Sequence, residues 1–252
     1  MVRTAACAAC SGIVLVAGAS IAWASDAARP VVVEMFLSQS CKSSPPAAQH
    51  LSDLARRADI VALAWHVDYW NDMPGYAAGA WADPFARREF SDRQRAYNVR
   101  LRRSGMVRTP QAIIDGAFLA AGSKRDALEA RITEAQFVDE HARTLPPRLE
   151  LRSSKDNTIE ALIDRVGAPY DAYAVTFRPH AVTHIEGGDN AGSTFDEINV
   201  VTSVKAIATA AEGARTAVFE APGEGEDCAV LVQERGLGRV VAARYCASRL
   251  AN

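Results

Sequence analysis

The side chain with the sharpest chemistry in this sequence is the thiol of Cys41, set in Ser38-Gln39-Ser40-Cys41-Lys42-Ser43-Ser44-Pro45-Pro46. A thiolate there is a nucleophile toward disulfides and a ligand for soft metals. Whether it is free follows from counting. The chain has 5 cysteines: Cys7, Cys10, Cys41, Cys228 and Cys246. Residues 1–24 read as an export signal, with Arg3 before a run of small and apolar residues and Ala22-Trp23-Ala24 as the site for cleavage after Ala24. The run is too short and too rich in Ala, Gly and Ser for a membrane anchor. The mature chain is therefore expected to be periplasmic or secreted, soluble, without a membrane span, and without Cys7 and Cys10. Cys228 and Cys246 flank Ala229-Val230-Leu231-Val232 and Arg239-Val240-Val241-Ala242-Ala243, joined by Glu234-Arg235-Gly236-Leu237-Gly238. That hairpin pattern predicts a disulfide between its two ends. Cys41 is then the odd thiol in an oxidising compartment.

Other reactive types gather near it. His66 and Asp68 alternate at the end of the run Asp59 to Val67, so they share a face. With Cys41 they form a candidate metal set, but no ligand-spaced motif is present. Hydrogen bonding to nearby structure is the plainer reading of both, and no resident metal or cofactor is expected. A Ser44-His66-Asp68 hydrolase lacks the strand-turn-helix context of a nucleophile elbow. Trp65, Tyr69, Trp70 and Trp81 either wall a groove or pack a core. From Arg87 to Arg108 there are eight arginines against Glu89 and Asp92. Such a run reads as a solvated helix face, or as a positive rim around a ligand site. The net charge of -2 over 252 residues argues against a nucleic-acid-binding protein.

The elements that must position these residues are legible in part. Val31 to Phe36 and Asp59 to Val67 read as buried strands, with a helix opened by Pro45-Pro46 between them. Strand, helix, strand is a βαβ unit, with its two strands expected parallel in one sheet. Asp68 to Met106 reads as an insertion of two helices. Asp83-Pro84 caps the first; Ser91 and Gln94 form a capping box for the second, which Gly105 ends. Thr109-Pro110 enters a strand, Asp115-Gly116 turns it into a hairpin, and 124–140 is an amphipathic helix. Leu145-Pro146-Pro147 marks a boundary between residues 25–145 and a β-rich half over 148–252, whose short alternating runs favour a sandwich.

A strand that delivers a cysteine to a helix start, a parallel partner strand, a Thr-Pro entry to a hairpin and a last helix together resemble the thioredoxin fold. In that fold the proline is cis and sits against the reactive cysteine. Further motifs extend the likeness: Glu34-Met35-Phe36-Leu37-Ser38-Gln39, His66-Val67-Asp68-Tyr69-Trp70, Asp83-Pro84-Phe85, Arg93-Gln94 with Tyr97, Thr109-Pro110-Gln111, Asp189-Asn190-Ala191-Gly192, Asn199-Val200-Val201 and Val232-Gln233. They resemble a family of secreted bacterial thioredoxin-like proteins known only as a domain of unknown function.

The family pattern carries Cys-x-x-Cys before the double proline, whereas Ser44 stands at the second position here. The resemblance implies that Cys41 is a monothiol nucleophile beside Ser44 and Pro110, with Thr109, His66, Asp68, Trp70 and Arg93 lining a substrate groove. The partner would be a thiol- or disulfide-bearing protein or small molecule, including glutathione mixed disulfides. Two other functions remain open at this point: a non-catalytic module that holds a peptide or small ligand in the same groove, and metal binding through Cys41 and His66.

Overall fold

Central to the fold are two strands with no exposed residue. β1 (Val31–Leu37) and β2 (Ile60–His66) are apolar except for Glu34 and His66, and every residue of both is buried. Strands covered on both faces read as continuous apolar runs. They pair in parallel from Val31 with Ile60 to Leu37 with His66. The computed structural model describes residues 29–71, 81–142 and 147–247; the expected export signal lies outside them.

α1 (Ser44–Leu54) joins these strands, with proline in its first turn, where a missing N–H costs nothing. α2 (Arg88–Arg102) follows β2. β3 (Gln111–Ile114) and β4 (Phe118–Ala121) form the expected hairpin, with Asp115 at φ 49° and Gly116 at φ 63°. Both turn residues take the left-handed backbone that a two-residue hairpin of this kind needs. α3 (Arg125–Glu140) closes the first half.

The second half contributes β5 (Arg148–Ser153), β6 (Thr158–Asp164), β7 (Tyr170–His184), β8 (Thr194–Ala210), β9 (Arg215–Glu220), β10 (Asp227–Glu234) and β11 (Val240–Tyr245). These do not form a separate domain. The large sheet runs β11-β10-β7-β8-β2-β1-β3-β4, straight through the expected boundary near 145, and β5-β6-β9 make a second, smaller sheet. The seam is β2 beside β8, where the ladder holds only Ala64 with Val200. Side chains complete it: the Asn199 amide donates to the Ala62 carbonyl at 2.8 Å, and the Ala62 N–H donates to the Tyr245 hydroxyl at 2.8 Å.

Three apolar layers result. α1 and α3 cover one face of β1 and β2 through Leu51, Leu54, Leu128 and Ile132. Phe90 and Tyr97 of α2 cover the other face, against Phe36 and Trp65. The small sheet packs Ile159, Ile163 and Phe219 on Tyr170, Val230 and Val232 of the large one. A sandwich therefore exists in the second half, but one of its layers is the outer part of the shared sheet.

Two local expectations change. Ser91 opens no helix: α2 is a single helix from Arg88, and the Ser91 hydroxyl instead bonds the Asp68 carboxylate and accepts the Asp68 N–H. Its end is Arg103, at φ 55°, not Gly105. Gly105 instead lies against Arg95 and Val99 of that helix. The short alternating runs on either side of Pro179 are one strand, β7, because pairing with the long β8 continues past that proline.

Candidate functional site

The loop after β1 is built from its own hydroxyls. Cys41 N–H donates to Ser38 O at 3.1 Å, Ser44 N–H to Cys41 O at 2.9 Å, and Ser38 N–H to Ser44 Oγ at 3.2 Å. Ser44 is fully buried in this role, and its hydroxyl faces the loop. Residues of the cap type satisfy nearby backbone groups in this way. α1 starts only at Ser44, so Cys41 lies outside its first turn.

Across from this loop, Thr109-Pro110 is a cis peptide, and the Thr109 carbonyl lies 3.7 Å from Cys41 Sγ. Trp70 fixes Thr109 from the other side, Nε1 donating to Oγ1 at 2.6 Å. Gly122 holds the proline from behind: a Cβ there would meet Met35 Sδ at 2.4 Å and Pro110 Cβ at 3.1 Å. Its N–H donates to the Pro110 carbonyl at 3.1 Å. Burial pushes the Tyr69 hydroxyl well above its usual range, and that hydroxyl donates to Gln94 Oε1 at 3.2 Å. Cys41 itself is 3% exposed.

Beneath the loop lies a buried charge cluster. His66 Nδ1 meets Asp83 Oδ2 at 2.8 Å, and Nε2 faces Glu197 Oε1 at 3.4 Å. Burial is the largest influence on the imidazole and favours its neutral form. The two carboxylates together outweigh it and push the pKa up to about 10. Asp83 is held below its usual range against the same burial by His66 and by the N–H groups of Gln39 and Phe85. Gln39 ties the cluster to the thiol loop. Its N–H donates to Asp83 at 2.8 Å and its side-chain amide to Glu197 Oε2 at 2.8 Å. Trp81 Nε1 donates to Gln39 Oε1 at 3.3 Å. Asn190, in the 3-10 turn Gly188–Asn190 of the second half, donates its amide to the carbonyls of Gln39 and Cys41 at 2.7 and 3.1 Å.

Of the sequence candidates, Cys41, Ser44, Thr109, Pro110 and Trp70 come together. His66 lies under the loop and is charged, with both ring nitrogens directed at carboxylates, so it offers Cys41 no lone pair for a shared metal. Among the described residues no group of three His, Cys, Asp or Glu is disposed to hold a metal ion. Asp68 is engaged by Ser91 in an open depression lined also by Tyr69, Arg88 and Arg95.

Arg93 does not line the groove. It sits on the opposite face of the sheet, bonded to Glu34 at 2.6 and 3.0 Å and stacked on Trp65 and Tyr97. The signal was present: a carboxylate inside the buried strand VVVEMFL demands a cation. Asp83, Glu197, Gln39 and Asn190 were missed as site residues. Gln39, Asp83 and Asn190 each fall within a motif of the family resemblance, whereas Glu197 lies in none.

Cys228 and Cys246 are joined by a disulfide with Cα atoms 5.1 Å apart at the open end of the β10-β11 hairpin, and Cys41 is free.

Together these features define a mixed α/β protein with one large, mostly antiparallel sheet and a loop thiol beyond the carboxyl end of its strand β1. The chain belongs to the family described as protein of unknown function DUF1223, which matches residues 32–233. Among solved structures it is similar to the crystal structure of a protein from Agrobacterium tumefaciens. That similarity has 23% identity and a TM-score of 0.71, and it covers 88% of this chain and 96% of the other. No curated protein matches.

Proposed function

We propose that this chain is an exported, thioredoxin-like thiol–disulfide exchange protein in which Cys41 acts as a monothiol. The observation that carries the reading is the approach of Cys41 Sγ to the Thr109 carbonyl, 3.7 Å away, at the residue before Pro110. The order β1-α1-β2-α2-β3-β4-α3, with strands arranged β2-β1-β3-β4, supports the thioredoxin-like assignment.

The chemistry is an exchange. Cys41 loses its proton and the thiolate attacks one sulfur of a disulfide R–S–S–R′. The Cys41–S–S–R bond forms, the S–S bond of the substrate breaks, and R′–S⁻ leaves and takes up a proton. Ser44 holds a hydroxyl where a resolving thiol would stand, so release of R requires a thiol from a second molecule. No net oxidation occurs.

The burial of Cys41 favours one other reading, a non-catalytic module that binds a peptide or small ligand. One experiment separates the two. The exported protein is treated with a glutathione-class disulfide, and adducts on wild type, Cys41→Ser and Ser44→Cys are weighed by mass spectrometry. Thiol exchange predicts an adduct on wild type, none on Cys41→Ser, and an internal disulfide in Ser44→Cys. A wild-type chain that takes up no adduct while folded overturns the exchange reading in favour of the binding module.

A further inference from the structure

The arginines of 87–108 divide into one that serves the core and seven that do not. Arg93 is buried on Glu34, while Arg87, Arg88, Arg95, Arg100, Arg102, Arg103 and Arg108 are all exposed. Arg88, Asp92, Arg95, Val99 and Arg102 recur at spacings of four and three, so they form one stripe along the outside of α2. Val99 is 53% exposed in the middle of that stripe, and Met106 is 73% exposed on the segment that folds back past it. Gly105, on the same segment, lies against Arg95 and Val99.

Helix stability does not account for this charge. Arg102 near the C-terminus suits the helix dipole, but Arg87 and Arg88 stand at the N-terminus, where a cation is disfavoured. The acidic residues of the same stretch are too few to balance it. Asp92 answers Arg95 at 2.9 Å and Arg88 at 3.8 Å, Glu89 is exposed, and Asp68 is engaged by Ser91. Arg87 and Arg100 donate to backbone carbonyls, of Ala86 and Gly116 respectively, and neither forms an ion pair among the described residues. The whole chain carries 28 cationic against 30 acidic residues, so this surface is positive on a slightly negative protein.

One end of this surface also adjoins the thiol. Tyr69 lines a depression with Arg88 and Arg95 and donates its hydroxyl to Gln94 of α2 at 3.2 Å. Arg108 directly precedes Thr109, whose carbonyl faces the sulfur, and its own carbonyl is pinned to Gln94 of α2 at 2.8 Å.

We propose that the outer face of α2 with residues 103–108 docks an acidic segment of a protein partner and presents it to Cys41. Exposed Val99 and Met106 supply the apolar contact at the centre of the patch, and the arginines around them supply charge selectivity and a steered approach. This deepens the exchange reading by naming its substrate class, and it rests on that reading.

The probes are two synthetic peptides with a central cysteine carried as a disulfide to thionitrobenzoate, one glutamate-rich and one with lysine at the same positions. Fluorescence anisotropy with Cys41→Ser reads binding alone, and thionitrobenzoate release by wild type reads exchange. The acidic peptide is expected to bind at least about tenfold more tightly than the lysine peptide at low salt. That ratio should collapse in an Arg95→Glu/Arg102→Glu/Arg108→Glu protein, checked for fold by circular dichroism, and should shrink as salt is raised. Equal binding of the two peptides, or a preference that survives in the triple variant, overturns the docking surface. Heparin binding as tightly as the acidic peptide overturns the assignment to a protein segment. Binding preference without thionitrobenzoate release sinks the exchange reading and supports the surface; release without preference does the reverse.

Discussion

Asn190 and Cys41 stand 149 positions apart in sequence, yet the Asn190 side-chain amide donates to the Cys41 carbonyl at 3.1 Å. The same amide holds the Gln39 carbonyl at 2.7 Å. The thiol loop of the first half is therefore closed by a turn of the second, and the β-rich half is part of the site.

Replacing Asn190 tests that closure. Asn190→Ala strips the Gln39 carbonyl of a buried donor and should cost about 1–3 kcal/mol. Cys41 should then react faster with iodoacetamide, since the loop opens more readily. Asn190→Asp keeps the shape, loses the donor and sets a carboxylate against two carbonyls, so it should be no milder. Urea unfolding of both variants is the measurement. A fully stable Asn190→Asp would show that the side chain only fills space.

His66 makes stability depend on pH on the alkaline side. Its folded pKa, about 10, lies above the unfolded value near 6.5. The folded state therefore holds a proton that the unfolded chain releases. The contribution is complete below pH ~6.5 and is lost as pH rises toward 10, with an effect on the order of a few kcal/mol. Asp83, held below its usual range, acts in the opposite sense. Its contribution is present above the unfolded value and disappears as pH falls through the folded one. Guanidinium midpoints between pH 6 and 10 should fall for wild type and stay flatter for His66→Gln. Parallel curves would remove His66 as the cause.

The Arg93–Glu34 pair should behave as a buried ion pair. Arg93→Met leaves the Glu34 carboxylate in the core with the Tyr97 hydroxyl but without its cation, and about 3–5 kcal/mol should be lost. Glu34→Gln combined with Arg93→Met should recover a large part of that loss. A double-mutant cycle by chemical denaturation measures the coupling. A loss below about 1 kcal/mol for Arg93→Met would mean that the pair contributes little.

Loss of the Cys228–Cys246 disulfide should cost about 3 kcal/mol, the value for a loop near its sequence separation of 18. Cys228→Ser/Cys246→Ser and reduced wild type should then unfold at similar urea concentrations. If reduction leaves the midpoint unchanged, the hairpin alone holds this end of the sheet.

Much of the local structure was legible. Val31 to Phe36 announces a covered strand, Asp115-Gly116 a tight hairpin, and Cys228 with Cys246 a bridged one. Each rests on residues close in sequence, where propensity and turn chemistry decide the outcome. The capping-box reading of Ser91 failed because a tertiary partner, Asp68, took the hydroxyl that a helix start would have used. The family resemblance implies a groove position for Arg93. The helix instead turns it to the opposite face, where Glu34 needs it.

By itself, then, the sequence determined the central strands, the hairpins and the cysteine left unpaired. Only tertiary structure decided that β8 lies beside β2, that Glu197 and Asp83 enclose His66, and that Asn190 clamps the Cys41 loop. The physical reason lies in what selects each contact. A turn or a buried strand is chosen by the conformational preferences of its own few residues. A buried charge or carbonyl takes whichever partner the packed sheet brings within reach, and here most of those partners lie far away along the chain.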